Sequence, residues 1–351
     1  MKVFFSDQQL GHAPQQFLMA GRFVQPFEVP DRARSLAHKL TAAGLAVHEP
    51  GDTGIEPIQA IHGTHYPEFL ASAYQRFQAL PNAGIEAFPN VHPHVSGAAS
   101  GAARGRVRPT GIVGQLGWYV GDMACAIGPE TWSAVYASAQ SAIAAANLVK
   151  DGAPHAIALC RPPGHHAYRD RASGFCFLNN AAIAAQILRD RFAKVAILDF
   201  DTHHGDGTQA IFYNDKNVFV GSTHTNPDNY YPFYCGYADE TGADAGVGTT
   251  LNIPLEPGSG DSDFLDANER LLKAAADFRA DALVISAGWD AHEDDPLSKL
   301  RVSDAAYKSL GEIFGNTPRP TVIVQEGGYS LAAIERVAPS FVNAFAKTHV
   351  C

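Results

Sequence analysis

The chain has 351 residues, of which 46% are hydrophobic and 18% are charged, and its mean hydropathy is −0.10. This composition is typical of a soluble globular protein with a large core. The formal net charge of −10 disfavours a general nucleic-acid-binding role, because phosphate binding needs a basic face, and it suits a cationic substrate better.

The N-terminal residues, MKVFFSDQQLGH, contain too few apolar side chains for a secretory signal. No run approaches the ~18 uninterrupted apolar residues of a membrane span, so we expect no membrane partner. The five cysteines are odd in number and lack CxxC spacing, which argues against a disulfide framework and against a thiolate zinc site. A cytoplasmic location is therefore expected.

The segment Asn82–Gln115 is rich in Gly, Ala, Pro and Ser and has no clear hydrophobic period. The residues on both sides of it have the composition of an ordinary globular domain. We therefore predict one domain over residues 1–351, with residues 82–115 as a long functional loop inserted in it.

The second half of the chain alternates short apolar runs with amphipathic stretches, which predicts an α/β fold around a mostly parallel sheet. The runs lack a period of two and so predict strands covered on both faces: His155–Cys160, Lys194–Asp199, Val218–Ser222, Asp281–Ser286 and Thr321–Gln325. Helices are predicted at Asn180–Arg191, Asp261–Phe278, Ser303–Phe314 and Leu331–Ala346, the last interrupted by Pro339.

Polar clusters follow four of these five strands. They are RPPGHH from Arg161, DTHHGDG from Asp201, GWDAH from Gly288 and EGGY from Glu326. Ligands of open α/β sheets bind beyond the carboxyl ends of the strands. Because all four clusters come at carboxyl ends, they are predicted to converge on one active site.

Asp201, His203 and Asp290 are candidate metal ligands. The first two are two residues apart, so in an extended segment their side chains point the same way. Two carboxylates and an imidazole suit Zn²⁺, with Fe²⁺ or Mn²⁺ as alternatives, and three protein ligands leave a position open for water and substrate. The alternative is that these residues cap helices and bind loop backbone.

His165 and His166 are adjacent, and on a turn both can face a shared pocket. A pair of imidazoles can divide general-base and general-acid work near neutral pH. Asp199 and Asp206 are available to orient their far nitrogens. The alternative is structural packing of these histidines in a buried turn.

Tyr329 follows two glycines, which permit a sharp turn, and its phenol is a candidate donor to a developing oxyanion. Phe175 and Tyr231 are candidates for the walls of a narrow channel, although all three aromatics are also compatible with core packing. Together with the metal and the histidine pair, they predict metal-assisted hydrolysis of an amide, whose poor leaving group needs a general acid.

The segments RPPGHHA, SGFCFLNNAAIAA, ILDFDTHHGDGTQ, SAGWDAHEDDPL and QEGGYS jointly resemble the signature segments of the zinc-dependent histone deacetylase superfamily. They occur in matching order from Arg161 to Ser330, with a weaker similarity in the N-terminal half. The segment from Asn82 and the GQLGWY after it resemble bacterial acetylpolyamine amidohydrolases most, and histone deacetylase-like amidohydrolases are also similar.

This resemblance implies a single arginase–deacetylase domain with a central eight-stranded parallel sheet and helices on both faces. It implies one catalytic Zn²⁺, with Fe²⁺ as an alternative, and a structural K⁺. By position, the implied roles are these: metal ligands Asp201, His203 and Asp290; catalytic residues His165, His166 and Tyr329, with Asp199 and Asp206 as carboxylate partners; substrate-binding residues Gly174, Phe175, Tyr231 and Asp122; and potassium-binding residues Asp199, Asp201, His203, Ser222 and Thr223.

The resemblance further implies a small acylated amine as substrate, and a homodimer or higher homo-oligomer in which residues 82–115 form a contact and narrow the tunnel. The chain departs from the polyamine type at Ala124, where those relatives carry a Glu, with Asp122 two residues earlier. Because of this departure, the predicted substrate is either acetylpolyamine-like or acetyl-lysine-like rather than an acetylpolyamine alone.

Three other functions are also compatible with the sequence. One is hydrolysis of another small-molecule amide, including a xenobiotic amide. The second is a two-metal ureohydrolase, which would need further carboxylate ligands to place two ions ~3.5–4 Å apart. The third is a non-catalytic module that binds acyl groups or metal.

Overall fold

The computed structural model of the protein describes residues 1–93 and 108–349. Its ten strands are β1 (Lys2–Phe4), β2 (Phe17–Met19), β3 (Arg22–Val24), β4 (Ala46–His48), β5 (His155–Ala158), β6 (Val195–Asp199), β7 (Val218–Thr225), β8 (Thr250–Leu255), β9 (Ala282–Ala287) and β10 (Thr321–Gln325). Eight of them form one sheet in the order β4-β1-β5-β10-β9-β6-β7-β8, and all of its pairs are parallel. β2 and β3 pair separately as an antiparallel hairpin.

Helices cover both faces of this sheet. They are α1 (Pro30–Ala42), α2 (Glu56–His62), α3 (His65–Gln78), α4 (Ile112–Tyr119), α5 (Thr131–Lys150), α6 (Asn180–Leu188), α7 (Asp206–Phe212), α8 (Asp261–Asp277), α9 (Asp304–Gly315) and α10 (Leu331–Thr348). Successive strand residues face opposite sides: Ala156 and Ala158 pack with α2 to α7, whereas Ile157 packs with α1, α8, α9 and α10. The single α/β domain with its eight-stranded parallel sheet confirms the predicted fold class.

The five predicted strands are all present, with their ends shifted by a few residues. Each is buried along almost its whole length, as expected for runs without hydrophobic alternation. The four predicted helices are also present. The interruption at Pro339 is wrong, because α10 continues through it to Thr348. Phe341 and Phe345, buried beyond the proline, hold that half of the helix in the core despite the lost hydrogen bond.

The prediction of one continuous loop over residues 82–115 needs correction at its C-terminal end. Helix α4 begins at Ile112, inside that range, and Ala87 pairs with Ile127 in a short antiparallel bridge. The part of the segment from 94 to 107 lies outside the described residues, and the predicted dimer contact stays a prediction.

The four strands followed by polar clusters are neighbours at the centre of the sheet, in the order β5-β10-β9-β6. Because all four are parallel, their carboxyl ends lie at one edge. The fold therefore brings the clusters together where parallel sheets bind ligands. Among the residues that the structure describes, none of the helices combines the length and hydropathy that a membrane span needs.

Candidate active site

Asp201, His203 and Asp290 meet at this edge of the sheet. The first two follow β6, and Asp290 follows β9 beside it. Nδ1 of His203 lies 3.1 Å from Oδ1 of Asp201 and 3.2 Å from Oδ2 of Asp290. All three side chains are buried, and one ligand atom from each lies within 4.8 Å of the others. This is the compact set of oxygen and nitrogen ligands that a divalent cation requires.

The electrostatics of this group favour a positive ion. Burial and the neighbouring Asp201 raise the pKa of Asp290 to about 7. Burial opposes protonation of His203, yet the two carboxylates raise its pKa to about 9. The space is bounded by Gly288 and Gly327, where any Cβ would collide with the carboxylates of Asp201 and Asp290. The three residues therefore fit a bound metal ion in charge, ligand type and space.

Each histidine of the adjacent pair is held by its own carboxylate. Nδ1 of His165 lies 2.9 Å from Oδ2 of Asp199, and Nδ1 of His166 lies 2.6 Å from Oδ1 of Asp206. The second oxygen of Asp206 accepts a hydrogen bond from the Tyr168 hydroxyl at 2.9 Å. Both rings thus present Nε2 away from their carboxylates, and the ring centroids are 4.0 Å apart.

The two imidazoles differ in their tendency to hold a proton. Burial lowers the pKa of His165, but the attraction of Asp199 and Asp201 outweighs it, so the pKa is raised. Burial and the positive charges of His165 and His203 lower the pKa of His166. The surroundings therefore favour the charged form of His165 and the neutral form of His166.

The turn that carries Tyr329 is held by a buried carboxylate. Oδ2 of Asp295 accepts the N–H groups of Tyr329 at 2.6 Å and Ser330 at 2.9 Å. Cζ of Arg32 lies 4.6 Å from the centroid of the Tyr329 ring, and the Arg32 side chain donates to the carbonyls of Gly328 and Glu326. Asp295 thus restrains the turn that carries Tyr329, and Arg32 restrains both this turn and the Tyr329 ring.

Arg32 belongs to a buried cluster that the sequence analysis did not predict. Glu28 accepts from Arg32 at 3.0 Å and from Nη2 of Arg161 at 2.9 Å. Burial would raise the pKa of Glu28, but the two guanidinium groups hold it below its ordinary value. One carboxylate therefore serves two buried cations behind the active site.

Replacing Glu28 with glutamine is expected to lower the free energy of unfolding by about 3–5 kcal/mol, because two guanidinium groups would be left buried without their counter-ion. Urea unfolding followed by circular dichroism measures this change. Asp277→Asn, which removes the partner of Lys273 in an exposed pair, is the control and should change stability far less. Equal effects of the two substitutions would contradict this role of Glu28.

A cavity of about 640 Å³ opens onto these groups. Its lining includes His166, His203 and Tyr329, strand β2 with the following Ala20, and His92 from the segment predicted to narrow the tunnel. Phe175 and Tyr231 both lie in its wall, as do the further aromatics Phe17, Tyr230 and Phe233. The ring centroids of Phe175 and Tyr329 are 5.6 Å apart. The cavity therefore leads between aromatic rings to the histidines and the candidate metal ligands.

Gly174 occupies a position that no side chain could share. Its φ is +52°, and a Cβ there would collide with the ring of His166 and approach the Tyr231 hydroxyl at 2.9 Å. The next residue, Phe175, also has a positive φ of 68°. A non-glycine residue in this conformation is strained, so the surrounding contacts must hold the Phe175 ring in the wall.

Asp122 lies in the cavity, but its carboxylate is already engaged by the protein. Oδ2 accepts from the Tyr231 hydroxyl at 2.8 Å and from the N–H of Gly174 at 3.0 Å, and Oδ1 accepts from the N–H of Ala124 at 2.9 Å. Ala124 lines the same cavity. Asp122 therefore orients Tyr231 and Gly174 in the cavity wall.

Glu326 begins the EGGY cluster, and no role is predicted for it from the sequence. Its Oε2 accepts the N–H groups of Gly164 at 2.7 Å and His165 at 3.0 Å, and its Oε1 accepts from Ser286 at 2.9 Å. It therefore positions the histidine turn. Its position directly after β10 was the available signal, but nothing in the sequence identifies its partners.

Glu326 also belongs to a second group of potential metal ligands, with His165 and Cys176. Both of its oxygens are engaged, and burial raises the pKa of the Cys176 thiol well above its ordinary value. Protein contacts thus account for this group. Among the described residues, no second carboxylate-rich group adjoins Asp201 and Asp290, as a two-metal ureohydrolase would require.

Two of the residues predicted to bind potassium, Asp201 and His203, are also candidate metal ligands, and the other three lie on β6 and β7. Asp199 and Ser222 are partners across β6 and β7. The Ser222 hydroxyl lies 2.8 Å from Nδ1 of His224, and the buried hydroxyl of Thr223 has no hydrogen-bond partner within residues 1–93 and 108–349. Potassium binding by this set stays a prediction.

An eight-stranded parallel sheet with these groups at its carboxyl edge defines the arginase–deacetylase class of α/β enzymes. The chain belongs to the histone deacetylase family: the model of the histone deacetylase domain matches residues 26–345. The predicted family and the predicted enzyme class, a deacetylase or amidohydrolase, are confirmed. Membership implies a catalytic metal, for which Asp201, His203 and Asp290 are the candidate ligands.

Relatives of known name cover almost the whole chain. An acetylpolyamine amidohydrolase of Burkholderia pseudomallei is 44% identical over 98% of both chains. Another of Mycoplana ramosa is 41% identical over 95% of this chain and 96% of its own length. A histone deacetylase-like amidohydrolase of Pseudomonas aeruginosa is 32% identical over 94% of this chain and 82% of its own length.

Solved structures agree with this assignment. The crystal structure of the acetylpolyamine aminohydrolase from Burkholderia pseudomallei superposes with a TM-score of 0.93 at 43% identity and covers 100% of both chains. The HD domain of HDA15 superposes with a TM-score of 0.79 at 27% identity over 99% of this chain and 91% of that chain.

Proposed function

We propose that the protein is a zinc-dependent amidohydrolase that cleaves the amide of a small acylated amine into a carboxylate and a free amine. The observation that carries this proposal is the convergence of Asp201, His203 and Asp290 beside two histidine–aspartate pairs at the end of one cavity. The names of the relatives support an acylated amine, and an acetylpolyamine first among them.

Zn²⁺ suits the two carboxylates and one imidazole, with Fe²⁺ as the alternative. A bound zinc ion would polarise the substrate carbonyl and lower the pKa of the attacking water. Asp201, His203 and Asp290 would hold this ion and leave a position open toward the cavity. We propose in addition that a structural K⁺ binds near Asp199 and Ser222, where the carboxylate and hydroxyl oxygens are of the hard type that such an ion prefers.

His165 and His166 carry out the proton transfers of the reaction. His166, whose pKa is lowered, is neutral and accepts the proton of the water that attacks the acyl carbon. His165, whose pKa is raised, stays charged and stabilises the negative charge that develops. When the carbon–nitrogen bond breaks, the amine nitrogen receives a proton from this pair. Asp199 and Asp206 hold both rings in the orientation that this requires.

Tyr329 completes the site from the opposite wall. Its hydroxyl donates a hydrogen bond to the carbonyl oxygen, which becomes an oxyanion when the water adds. Asp295 and Arg32 restrain the turn and the ring, so little reorganisation is needed at the moment of reaction. The acyl group is placed at the base of the cavity by this arrangement, and the amine chain leads outward.

The cavity wall favours a slender chain on the amine. Phe175 and Tyr231 present aromatic surface to it, and the Asp122 carboxylate is engaged with Tyr231, Gly174 and Ala124 rather than free for the substrate. A methylene chain, as in an acetylpolyamine or an acetyl-lysine side chain, fits such a wall through apolar contact. The predicted homodimer and the cytoplasmic location stay predictions.

The deciding experiment is a turnover screen of acetylated polyamines, acetyl-lysine peptides and small xenobiotic amides, with metal content measured in parallel. We expect release of the acid from an acetylated amine, complete loss of turnover after chelation, and recovery when one Zn²⁺ per chain is restored. Activity that persists in fully metal-free protein would contradict the proposal. Binding of acylated amines by zinc-loaded protein without any release of acid would favour a non-catalytic binding module instead.

A further inference from the structure

Tyr230 is a buried aromatic residue that the reaction described above does not use. Its ring stacks on the imidazole of His203, with centroids 4.9 Å apart and an angle of 10° between the planes. Its hydroxyl oxygen lies 2.9 Å from Nε2 of His203 and donates a hydrogen bond to the carbonyl of Leu297. Only 9% of the residue is exposed, so water competes little for these contacts.

The two contacts of the Tyr230 hydroxyl determine which nitrogen of His203 carries the proton. The hydroxyl has one hydrogen, and that hydrogen is given to the Leu297 carbonyl, which can only accept. Toward His203 the hydroxyl oxygen is therefore an acceptor, and Nε2 is the donor. A neutral imidazole with its proton on Nε2 has its lone pair on Nδ1, the atom that faces Asp201 and Asp290.

We propose that Tyr230 is a positioning residue for the metal ion: it holds His203 in the tautomer and orientation in which Nδ1 can bind the ion. A hydrogen-bond acceptor on the far nitrogen of a metal-binding histidine fixes its ring and raises its basicity as a ligand. The stacked Tyr230 ring restrains His203 further, because the imidazole cannot turn without losing this contact. The inference rests on the proposed metal site and concerns binding of the ion, not the chemistry of the substrate.

The Leu297 carbonyl that receives the Tyr230 hydrogen is itself held in place. The N–H of Leu297 donates to Oδ1 of Asp295 at 3.0 Å, and the other oxygen of Asp295 accepts from Tyr329. A single buried carboxylate thus fixes both the acceptor of Tyr230 and the turn that carries Tyr329. The Leu297 carbonyl that accepts from Tyr230 is therefore fixed by hydrogen bonds of its own segment.

Tyr230→Phe tests the proposal, because it removes the hydroxyl and keeps the stacked ring. We expect the Zn²⁺ dissociation constant, measured by competition with a chromophoric chelator, to rise about 10–100-fold. The visible spectrum of the Co²⁺-substituted protein should change as well, since it reports the ligand geometry at the ion. Tyr231→Phe is the matched control: its hydroxyl bonds Asp122 and Ser173 in the same wall, so zinc affinity and cobalt spectrum should equal those of the wild type.

Wild-type zinc affinity in Tyr230→Phe would overturn the proposal. An equal loss in both variants would overturn it too, because it would reveal a general effect of removing a hydroxyl from the wall. Nitrogen-15 shifts of His203 in the wild-type protein provide a test that needs no variant: a proton on Nε2 is expected, and a proton on Nδ1 in the zinc-loaded protein would contradict the assignment. If the wild type bound no stoichiometric ion, the proposed function would fail together with this inference, whereas failure of the Tyr230 experiments alone would leave that function standing.

Discussion

Replacing Tyr329 with phenylalanine is expected to lower kcat by roughly 10²–10³ and to leave KM nearly unchanged, because in the proposed mechanism the phenol stabilises charge that exists only in the transition state. The ring should keep its place, since it contacts Phe175 and lies beside Arg32. Steady-state kinetics on an acetylated amine, with zinc content measured on the same samples, checks both expectations.

Tyr136→Phe is a suitable control for this substitution, because the Tyr136 hydroxyl bonds Asp52 at the surface, outside the cavity lining. It should keep the kcat of the wild type. Near-normal turnover in Tyr329→Phe would remove the oxyanion role from Tyr329. A loss of zinc in that variant would instead indicate that the tyrosine supports the metal site.

Replacing Asp290 with alanine is expected to abolish both metal binding and activity, because it removes one of the three proposed ligands of the ion. The substitution also changes how the ion affects stability. In the wild type, burial and Asp201 raise the pKa of Asp290 to about 7, so the ionised carboxylate is unfavourable there until a cation binds. Added Zn²⁺ should therefore raise the unfolding temperature of the wild type and leave that of the variant unchanged.

Asp294→Ala provides the comparison for Asp290→Ala. Asp294 lies four residues further on and is exposed, where it pairs with Arg336. Its loss should change neither zinc content nor turnover. Full zinc occupancy in Asp290→Ala would mean that the ligand set is misassigned, and elemental analysis of the dialysed proteins gives the answer directly.

The central part of the fold could be predicted because its strands carry a strong local signal. Runs of Val, Ile and Leu mark β5, β6, β7, β9 and β10. The short strands β1 and β4 have three residues each, too few for any period to emerge. β8 contains Pro254, and a proline in the sequence argues against a strand. In the structure β8 is the edge strand of the sheet, where a proline is tolerated.

The part of the candidate site that could be predicted consists of the residues that directly follow a strand in the chain. The four clusters come at the ends of neighbouring parallel strands, so topology alone brings them together. Glu28 and Arg161 are 133 residues apart, and no local pattern links them. Asp295 is the last of three consecutive acidic residues in the sequence HEDDP. Nothing in the sequence shows which of the three carboxylates accepts the N–H of Tyr329.

The glycines at the base of the site have a consequence for attempts to alter the enzyme by design. At Gly288 and Gly327 there is no room for a Cβ beside Asp201 and Asp290. The main chain of these two glycines therefore packs directly against the candidate metal ligands. Mutant libraries that include these two positions would consist largely of inactive protein. Diversity is better directed to the entrance, where Met19 on the β2–β3 hairpin and Phe233 are partly solvent-exposed and line the same opening. Substitutions there can reshape the acceptance of different amines while the hydrolytic centre stays intact.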